Sequence, residues 1–231
     1  MKYKIVDLDD TYNLKNFKCE NTSINNYLYH DSYYKHILKL NRTKLVVDNN
    51  NILAFYTIST CELKTIDICN DIIEIPVYEL EYLAVDLKYT KQKIGTNILK
   101  RVIADVEQYS QKFGGCYLIL RALKDKVKWY RNRGFVHILD KGHNDPNTIT
   151  LSWNLRDKEL IDSYFDEEAL NMIKYENLPI AEKVKKQKAL IKLLNIGIDK
   201  ETKKKRDNFM MDARKKYAND VFEDEQTLYV D

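Results

Sequence analysis

The stretch "YTKQKIGTNILK", Tyr89–Lys100, brings lysines, one glycine and the start of a helix together directly after the apolar segment "YLAV". The first N–H groups of a helix have no partner within it, and the helix dipole favours negative charge there. A strand that leads through such a turn into a helix can therefore hold a phosphate group. Gly95 would let an anion approach the backbone closely, and Lys91 and Lys93 would add positive charge. The turn consists of Lys91, Gln92, Lys93, Ile94, Gly95 and Thr96.

The spacing of these residues leaves two interpretations open. A Walker loop ends in Gly-Lys-Ser/Thr, and a dinucleotide-binding fingerprint requires three glycines; the stretch has neither. An ordinary basic turn between a strand and a helix would have the same composition. From spacing alone, the turn is either a phosphate site or a structural connection.

The cysteines and histidines show no pattern typical of a metal site. His30 and His36 lie six residues apart, which places them on different faces of a helix, and His137 and His143 are interpreted as surface or structural residues. The cysteines are irregularly spaced and form no CxxC pair: Cys19, Cys61, Cys69 and Cys116. We expect no metal and reduced cysteines.

The chain also shows no targeting or membrane signal. The segment "MKYKIVDLDD" lacks an apolar signal core, and no apolar run approaches the about 18 residues that a membrane span requires. We therefore expect a cytoplasmic protein with no membrane partner.

The hydrophobic periodicity predicts strands and helices in the order β-α-β-β-β-α-β-α-β-β, which is an α/β (α+β) arrangement. The clearest strand is Val77–Val85, and Gly114 and Gly115 end the clearest helix. That helix has one apolar stripe, formed by Ile98, Leu99, Val102, Ile103 and Val106. The 231 residues suffice for one domain with an appendage, and we place the domain at residues 1–156.

Three further expectations concern the first half of the chain. Ser23 should cap a helix whose apolar stripe is formed by Ile24, Tyr27, Leu28, Tyr34, Ile37 and Leu38. An Asn-rich turn should join "TKLVVD" to "ILAFYTIST" in a hairpin. Residues 62–76 should form mainly a loop, with a short strand, that closes at Pro76.

Residues 157–231 are predicted to be a charged, mainly helical extension. One helix is expected over Asp157–Glu176, and a second from Pro179 to Asn195. Between Ala181 and Tyr217 there are 13 Lys and Arg against 5 Asp and Glu, an excess of +8, which leaves the rest of the chain at −5. These lysines fit a solvated helix face, and they are also compatible with RNA or a protein partner.

The segments "YLAVDLKYTKQKIGTNILK" and "WYRNRGF" resemble the motifs of the GNAT N-acetyltransferase family. In that family, a strand of the type "LAV" precedes Gln/Arg-x-x-Gly-x-Gly/Ala, and a later helix ends in "FYxxxGF". Here Gly95 matches, whereas Thr90 and Lys93 stand where the family has Gln or Arg and the first glycine. The resemblance covers roughly residues 1–155 and implies the GNAT fold, a mixed, mostly antiparallel sheet flanked by helices.

The resemblance implies acetyl-CoA as cosubstrate and no metal. The backbone of Leu83, Ala84 and Val85 would pair with the pantetheine arm, and the turn from Lys91 to Thr96 would hold the pyrophosphate. Tyr130 matches the tyrosine that protonates the departing thiolate, a role that suits a phenol of pKa about 10. Glu81 would be the base, with the alternative that Glu79 and Glu81 bind a substrate ammonium or only line the cleft.

A narrower resemblance concerns the N-terminal half. "FKCENTSINNYLYHDSYY", "NRTKLVV" and "ILAFYTIST" are similar to GNAT-type toxins of bacterial toxin-antitoxin modules, which have "F-x-C" and an "LNxYL" helix here. Such toxins acetylate the α-amine of aminoacyl-tRNA. The resemblance implies aminoacyl-tRNA as acceptor and an antitoxin protein as partner, and it leaves a homodimer open.

Three functional hypotheses follow. The first is a toxin-like acetyltransferase that acts on aminoacyl-tRNA. The second is an acetyltransferase for a small-molecule amine or a protein lysine, which would suit the acidic character of the main domain. The third belongs to another class: a binding module that no longer uses the cofactor and recruits a partner through its helical tail.

Overall fold

The computed structural model describes residues 3–49, 51–66, 72–156, 177, 179–185 and 199–213. Within these residues, seven strands form one sheet: β1 Lys4–Asp7, β2 Arg42–Asp48, β3 Asn51–Ile66, β4 Ile72–Val85, β5 Tyr117–Leu123, β6 Val136–His137 and β7 Thr148–Asn154. Their order across the sheet is β1-β2-β3-β4-β5-β7-β6. All neighbours are antiparallel except β4 and β5, which are parallel.

Helices connect and cover these strands. They are α1 Thr22–Asn26, a π-helical turn Tyr27–Asp31, α2 Ser32–Ile37, α3 Ile94–Phe113, α4 Val127–Arg131 and α5 Lys200–Met210, with 3₁₀ turns at Leu14–Asn16 and Leu87–Tyr89. Residues 180–185 are also helical. The predicted order of elements through β7 and the predicted mixed, mostly antiparallel sheet with flanking helices are confirmed.

The two faces of the sheet carry separate hydrophobic cores. On one face, the stripe predicted for α3 is fully buried from Ile98 to Val106 and packs with Phe135 and Trp153. On the other face, Tyr27 and Leu28 of the N-terminal helices pack against the sheet with Phe55. The sheet is therefore a layer between α3 and the N-terminal helices.

The prediction for the N-terminal helix is wrong in two respects. Its cap is Asn21, whose Oδ1 accepts a hydrogen bond from the Ile24 N–H at 3.2 Å, and not Ser23. The second half of the predicted stripe is on the surface, since Tyr34, Ile37 and Leu38 are exposed. The π-helical turn adds a residue to one turn and rotates the face that follows, so that α2 buries Ser32 and His36 instead.

The loop predicted for residues 62–76 is also wrong. β3 continues to Ile66, β4 begins at Ile72, and the two strands pair along this whole length, with Pro76 opposite Glu62. Pro76 stands where the β4–β5 ladder begins: the ladder pairs from Val77 onward, and Pro76 contributes only its carbonyl, which accepts from the Cys116 N–H at 2.9 Å.

Helix α5, from the predicted extension, packs into the core of the sheet. Met210 and Ala213 are buried there. The Arg206 guanidinium lies 4.3 Å from the centre of the Trp153 ring, and its Nε–H donates to the Gly134 carbonyl at 2.9 Å. The division into residues 1–156 and 157–231 stays a prediction, and so does the helix expected at 157–176, which lies outside the described residues. Of the second expected helix, residues 186–195 lie outside them too.

Candidate active site

Strands β4 and β5 open into a cleft. They pair only where Val77–Glu79 lie beside Tyr117–Ile119, although both strands continue beyond this point. A cavity of about 740 Å³ lies between the two separating segments, which are Leu80–Val85 and Leu120–Leu123. The cleft is therefore created by the sheet itself, where neighbouring strands no longer pair.

The edge of β4 that faces the cleft is a site for main-chain pairing. Leu83, Ala84 and Val85 line the cavity, and β4 pairs there only with β3, on its other edge. The backbone of such an edge can bind an extended ligand as an added strand. The structure thus places the three residues predicted for the pantetheine arm along one wall.

Glu81 projects from a β-bulge in the same strand. Tyr82 lies opposite Thr57 and Leu80 lies opposite Ile58, so Glu81 is the extra residue between them. A bulge re-aims a side chain relative to the regular alternation. Glu81 lines the cleft, and its Oε2 accepts a hydrogen bond from Nδ2 of Asn41 at 2.9 Å.

Glu79 does not share this environment. It is buried and forms an ion pair with Arg121, which also pairs with Asp140 at 3.2 Å. Arg121 lines the cleft, but Glu79 does not. The carboxylate of Glu79 is thus neutralised by a cation, whereas that of Glu81 is held by a neutral amide.

The turn before α3 leaves the first amides of the helix uncapped. Lys93 is the N-cap residue without a side-chain cap, and the first intrahelical bond runs from the Asn97 N–H to the Lys93 carbonyl at 3.0 Å. Lys91 and Lys93 have φ angles of +69° and +60°, the left-handed region that favours glycine. Lys93 thus adopts the conformation expected of the family's glycine at its position.

Five of the six predicted turn residues line the cleft, and Gln92 does not. Gly95 packs closely on β4, because a Cβ atom there would lie 3.3 Å from Cγ2 of Val85, which is a tight contact. The start of α3 therefore lies directly against the end of β4, so the uncapped amides and the free strand edge belong to one site.

Tyr130, in α4, lines the opposite wall of the cleft. Its half-buried ring packs edge-on against Trp129 at 4.8 Å and near Phe135 at 5.7 Å. No residue in the described ranges forms a hydrogen bond with its hydroxyl. Burial raises the pKa of Tyr130 well above its ordinary value, although nearby Arg133 opposes the shift. The phenol is therefore protonated at neutral pH and able to donate a proton.

Arg133 is a residue that the sequence interpretation missed. Its guanidinium stacks 3.8 Å from the centre of the Trp129 ring, and Nη2 donates to Oγ1 of Thr96 at 3.3 Å. Arg133 therefore ties the helix that carries Tyr130 to the first turn of α3. It is the second arginine of "WYRNRGF", which is the signal that could have identified it.

Cys19 lines the cleft near the N-terminal helices. Asn25 fixes its backbone, accepting from the Cys19 N–H at 2.8 Å and donating to its carbonyl at 3.0 Å. Burial raises the pKa of the Cys19 thiol. The Asn25 side chain thus fixes the backbone of Cys19 in this wall of the cleft.

The described residues contain neither a metal-binding cluster nor a membrane-spanning helix. No group of His, Cys, Asp and Glu side chains in those ranges could hold a metal ion. No helix there is both long and apolar enough to cross a membrane.

Comparison with solved structures identifies the fold, whereas no family model matches the sequence. A Tyr-to-Phe mutant of the toxin AtaT, bound to the C-terminus of the antitoxin AtaR and acetyl-CoA, superposes with a TM-score of 0.57 and 21% identity over 71% of this chain and 99% of that one. The chain has the GNAT fold. In this GNAT fold, the cleft lies where strands β4 and β5 separate.

Two other GNAT structures give the same result. A Tyr-to-Phe mutant of KacT has a TM-score of 0.57 and 19% identity over 67% of this chain and 96% of that one. AtaT complexed with acetyl-methionyl-tRNAfMet has a TM-score of 0.57 and 20% identity over 71% of this chain and 100% of that one. At these identities the likeness establishes the fold.

Proposed function

We propose that the protein is an N-acetyltransferase that transfers the acetyl group of acetyl-CoA to a primary amine. One observation carries this proposal: the free edge of β4, the uncapped start of α3 and Tyr130 line a single cleft. Acetyl-CoA supplies an acetyl group that is activated as a thioester. The similar AtaT structure with bound acetyl-CoA supports the choice of this cosubstrate.

The residues present fit such a cosubstrate. The backbone of Leu83–Val85 pairs with the amide groups of the pantetheine arm, and the N–H groups of Ile94, Gly95 and Thr96 bind the pyrophosphate oxygens. Lys91 and Lys93 line the same end of the cleft and add positive charge. In this proposal, the thioester would lie between Glu81 and Tyr130.

The side chains in the cleft supply the two proton transfers that the reaction needs. An amine attacks only when neutral, so Glu81 accepts its proton, directly or through one water molecule. The amine nitrogen forms a bond to the acetyl carbon as the carbon–sulfur bond breaks. Tyr130 gives its hydroxyl proton to the leaving sulfur. We propose that the amine attacks the thioester directly, without an acetyl-enzyme intermediate.

We propose the α-amine of an aminoacyl-tRNA as the acceptor. The AtaT complex with acetyl-methionyl-tRNAfMet supports this choice. The N-terminal segment that resembles the toxins supports it too, because Cys19, Asn21 and Ile24 of this segment line the cleft. We further propose a cytoplasmic location and an antitoxin protein as partner, as AtaR is for AtaT, and we keep a homodimer as a hypothesis.

A small-molecule amine or a protein lysine is the second candidate acceptor. Three carboxylates line the cleft, those of Glu20, Glu81 and Asp125. Lys126 pairs with Glu20 at 3.5 Å and with Asp125 at 3.0 Å. Glu81 is therefore the one of the three that would attract a cationic amine. This candidate makes the charge of the cleft, rather than that of the tail, the basis of recognition.

Transfer of radiolabelled acetyl tests the proposal. Purified protein and labelled acetyl-CoA are incubated with aminoacyl-tRNA, the same tRNA without its amino acid, a polyamine, or a lysine-containing peptide. We expect label only in aminoacyl-tRNA, recovered as the N-acetyl amino acid after hydrolysis of the ester. Label only in the polyamine or peptide would select the second candidate. No label with any acceptor, from a folded protein, would favour the binding module.

A further inference from the structure

Asn41 lies between the N-terminal helices and the sheet, next to the bulge in β4. It immediately precedes β2, and its side chain is only 4% exposed. Nδ2 donates to Oε2 of Glu81 at 2.9 Å and to the Tyr27 hydroxyl oxygen at 3.1 Å. Asn41 thus contacts the bulge carboxylate from outside the cleft, since it does not line the cavity.

The orientation of the Asn41 amide leaves one of its polar atoms without a hydrogen bond. Its Oδ1 is buried and has no hydrogen-bond partner. A buried carbonyl oxygen of this kind is costly, and such groups are rare in folded proteins. Rotating the amide would not help, because Oδ1 would then face the Glu81 carboxylate. The amide is therefore held in the one orientation that presents its donors to Glu81 and Tyr27.

Tyr27 provides a rigid support for this contact. Its hydroxyl lies 3.4 Å from Oγ1 of Thr43 and of Thr57, and these two oxygens are 2.9 Å apart. Its ring stacks on that of Tyr82, with 3.8 Å between the centroids. Because Tyr82 directly follows Glu81, the bulge is fixed both through its backbone and through the Asn41 amide.

The two glutamates of the strand show why a neutral partner matters. Glu79 is paired with the guanidinium of Arg121, which offsets its charge. Asn41 gives Glu81 one hydrogen bond, and this bond comes from a neutral amide. In the described part of the chain, Oε1 of Glu81 has no partner, and this oxygen remains available to a ligand in the cleft.

We propose that Asn41 is a positioning residue, which fixes Oε2 of Glu81 so that Oε1 faces the amine of the acceptor. This inference rests on the proposed function, in which Glu81 accepts the proton of that amine. Asn41 touches neither substrate and acts only through Glu81.

A double-mutant cycle tests this role. Asn41→Ala should lower kcat roughly 10- to 100-fold and leave KM for acetyl-CoA unchanged, because a misplaced catalytic group slows the chemical step without altering cosubstrate binding. In the Glu81→Gln background, Asn41→Ala should cause no further loss of kcat. Urea unfolding of wild type, Asn41→Ala, Glu81→Gln and the double variant gives the coupling free energy of the two residues without any substrate. This coupling free energy should differ from zero.

Asn25→Ala is the matched control, because Asn25 is also a buried asparagine on this face but bonds only to the backbone of Cys19. Its effects should add to those of Glu81→Gln. If Asn41→Ala does not fold, Asn41→Asp removes the same donors with little change in size and should lower kcat similarly. Equal losses of kcat from Asn41→Ala in both backgrounds would overturn the inference.

Failure of the proposed function has a different signature from failure of this inference. Wild-type protein without acetyl-CoA-dependent turnover would overturn both the function and the catalytic role of Asn41. Normal wild-type turnover with no Asn41–Glu81 coupling in kcat would overturn the positioning role alone.

Discussion

Replacing Met210 by alanine should destabilise the whole domain, because α5 is part of its core. Met210 has no exposed surface and packs in the same cluster as α3, Phe135 and Trp153. Truncating a fully buried methionine to alanine typically costs 2–5 kcal/mol, and alanine's slightly better helix propensity offsets only a small part of this. We therefore expect a loss of about 2–4 kcal/mol in the free energy of unfolding.

Met211 offers a matched control, since it is the next residue and 70% exposed. Urea unfolding followed by far-UV circular dichroism should show one transition, whose midpoint falls by about 1 M in Met210→Ala for a typical urea slope. Met211→Ala should change the free energy of unfolding by no more than about 0.5 kcal/mol. Equal midpoints for the two variants, or an early transition that involves only part of the helical signal, would refute the view that α5 belongs to the core.

Substitutions at three further positions give sharp outcomes. Tyr130→Phe should lower kcat about 10²- to 10⁴-fold. Stability and acetyl-CoA affinity should stay unchanged, because the described residues give the Tyr130 hydroxyl no hydrogen bond to lose. Full turnover by a variant that binds acetyl-CoA would remove Tyr130 from the mechanism. The φ of +60° at Lys93 suits glycine and not a β-branched residue. In urea unfolding, Lys93→Gly should keep the free energy of unfolding within about 1 kcal/mol of wild type, whereas Lys93→Val should lower it by about 1–3 kcal/mol. Equal free energies of unfolding for the two variants would contradict this. Burial lowers the pKa of His36 below its unfolded value near 6.5. The unfolded state then binds more protons, so stability is lost as pH falls from about 7 through about 6.5 toward the lowered folded pKa. His36→Phe should reduce this loss in melting curves, and an unchanged pH dependence would argue against a buried neutral His36.

Elements with a strong local pattern were predictable from the sequence. The stripe of α3 and the strand Val77–Val85 depend on periodicity within one segment, and both are found where they were expected. The three parts of the candidate site also have local signals, because the strand, the turn and the tyrosine helix each have their own motif. Their meeting at one cavity is consistent with the predicted site, whose roles stay predictions.

Features that depend on contacts between distant segments were not predictable. The bulge at Glu81 is a matter of register between β3 and β4, and either strand alone reads as regular. The π-helical turn at Tyr27–Asp31 changes which residues of α2 are buried, although the sequence pattern continues unbroken. Asn41 opens the segment "NRTKLVV", but nothing in that segment indicates that its side chain reaches Glu81 across 40 positions of sequence.

The position of α5 illustrates the same limit. Its sequence is strongly basic, which is typical of a solvated helix. The structure nevertheless buries Arg206, whose Nε–H donates to the Gly134 carbonyl and whose guanidinium lies over the face of Trp153. A charged residue is predicted to be exposed unless its partners are known, and these partners lie more than fifty residues away.

The central claim is that the cleft between β4 and β5 binds acetyl-CoA with its pyrophosphate at the start of α3. The most direct measurement is calorimetric titration of acetyl-CoA into the wild-type protein and into two charge-reversal variants. Lys91→Glu alters a residue that lines the cleft, whereas Lys88→Glu makes the same change at an exposed lysine outside its lining. We predict binding to wild type and Lys88→Glu, and affinity at least about 10-fold weaker for Lys91→Glu, the effect of about 1.4 kcal/mol. No binding to wild type, or equal affinity in all three proteins, would contradict the claim.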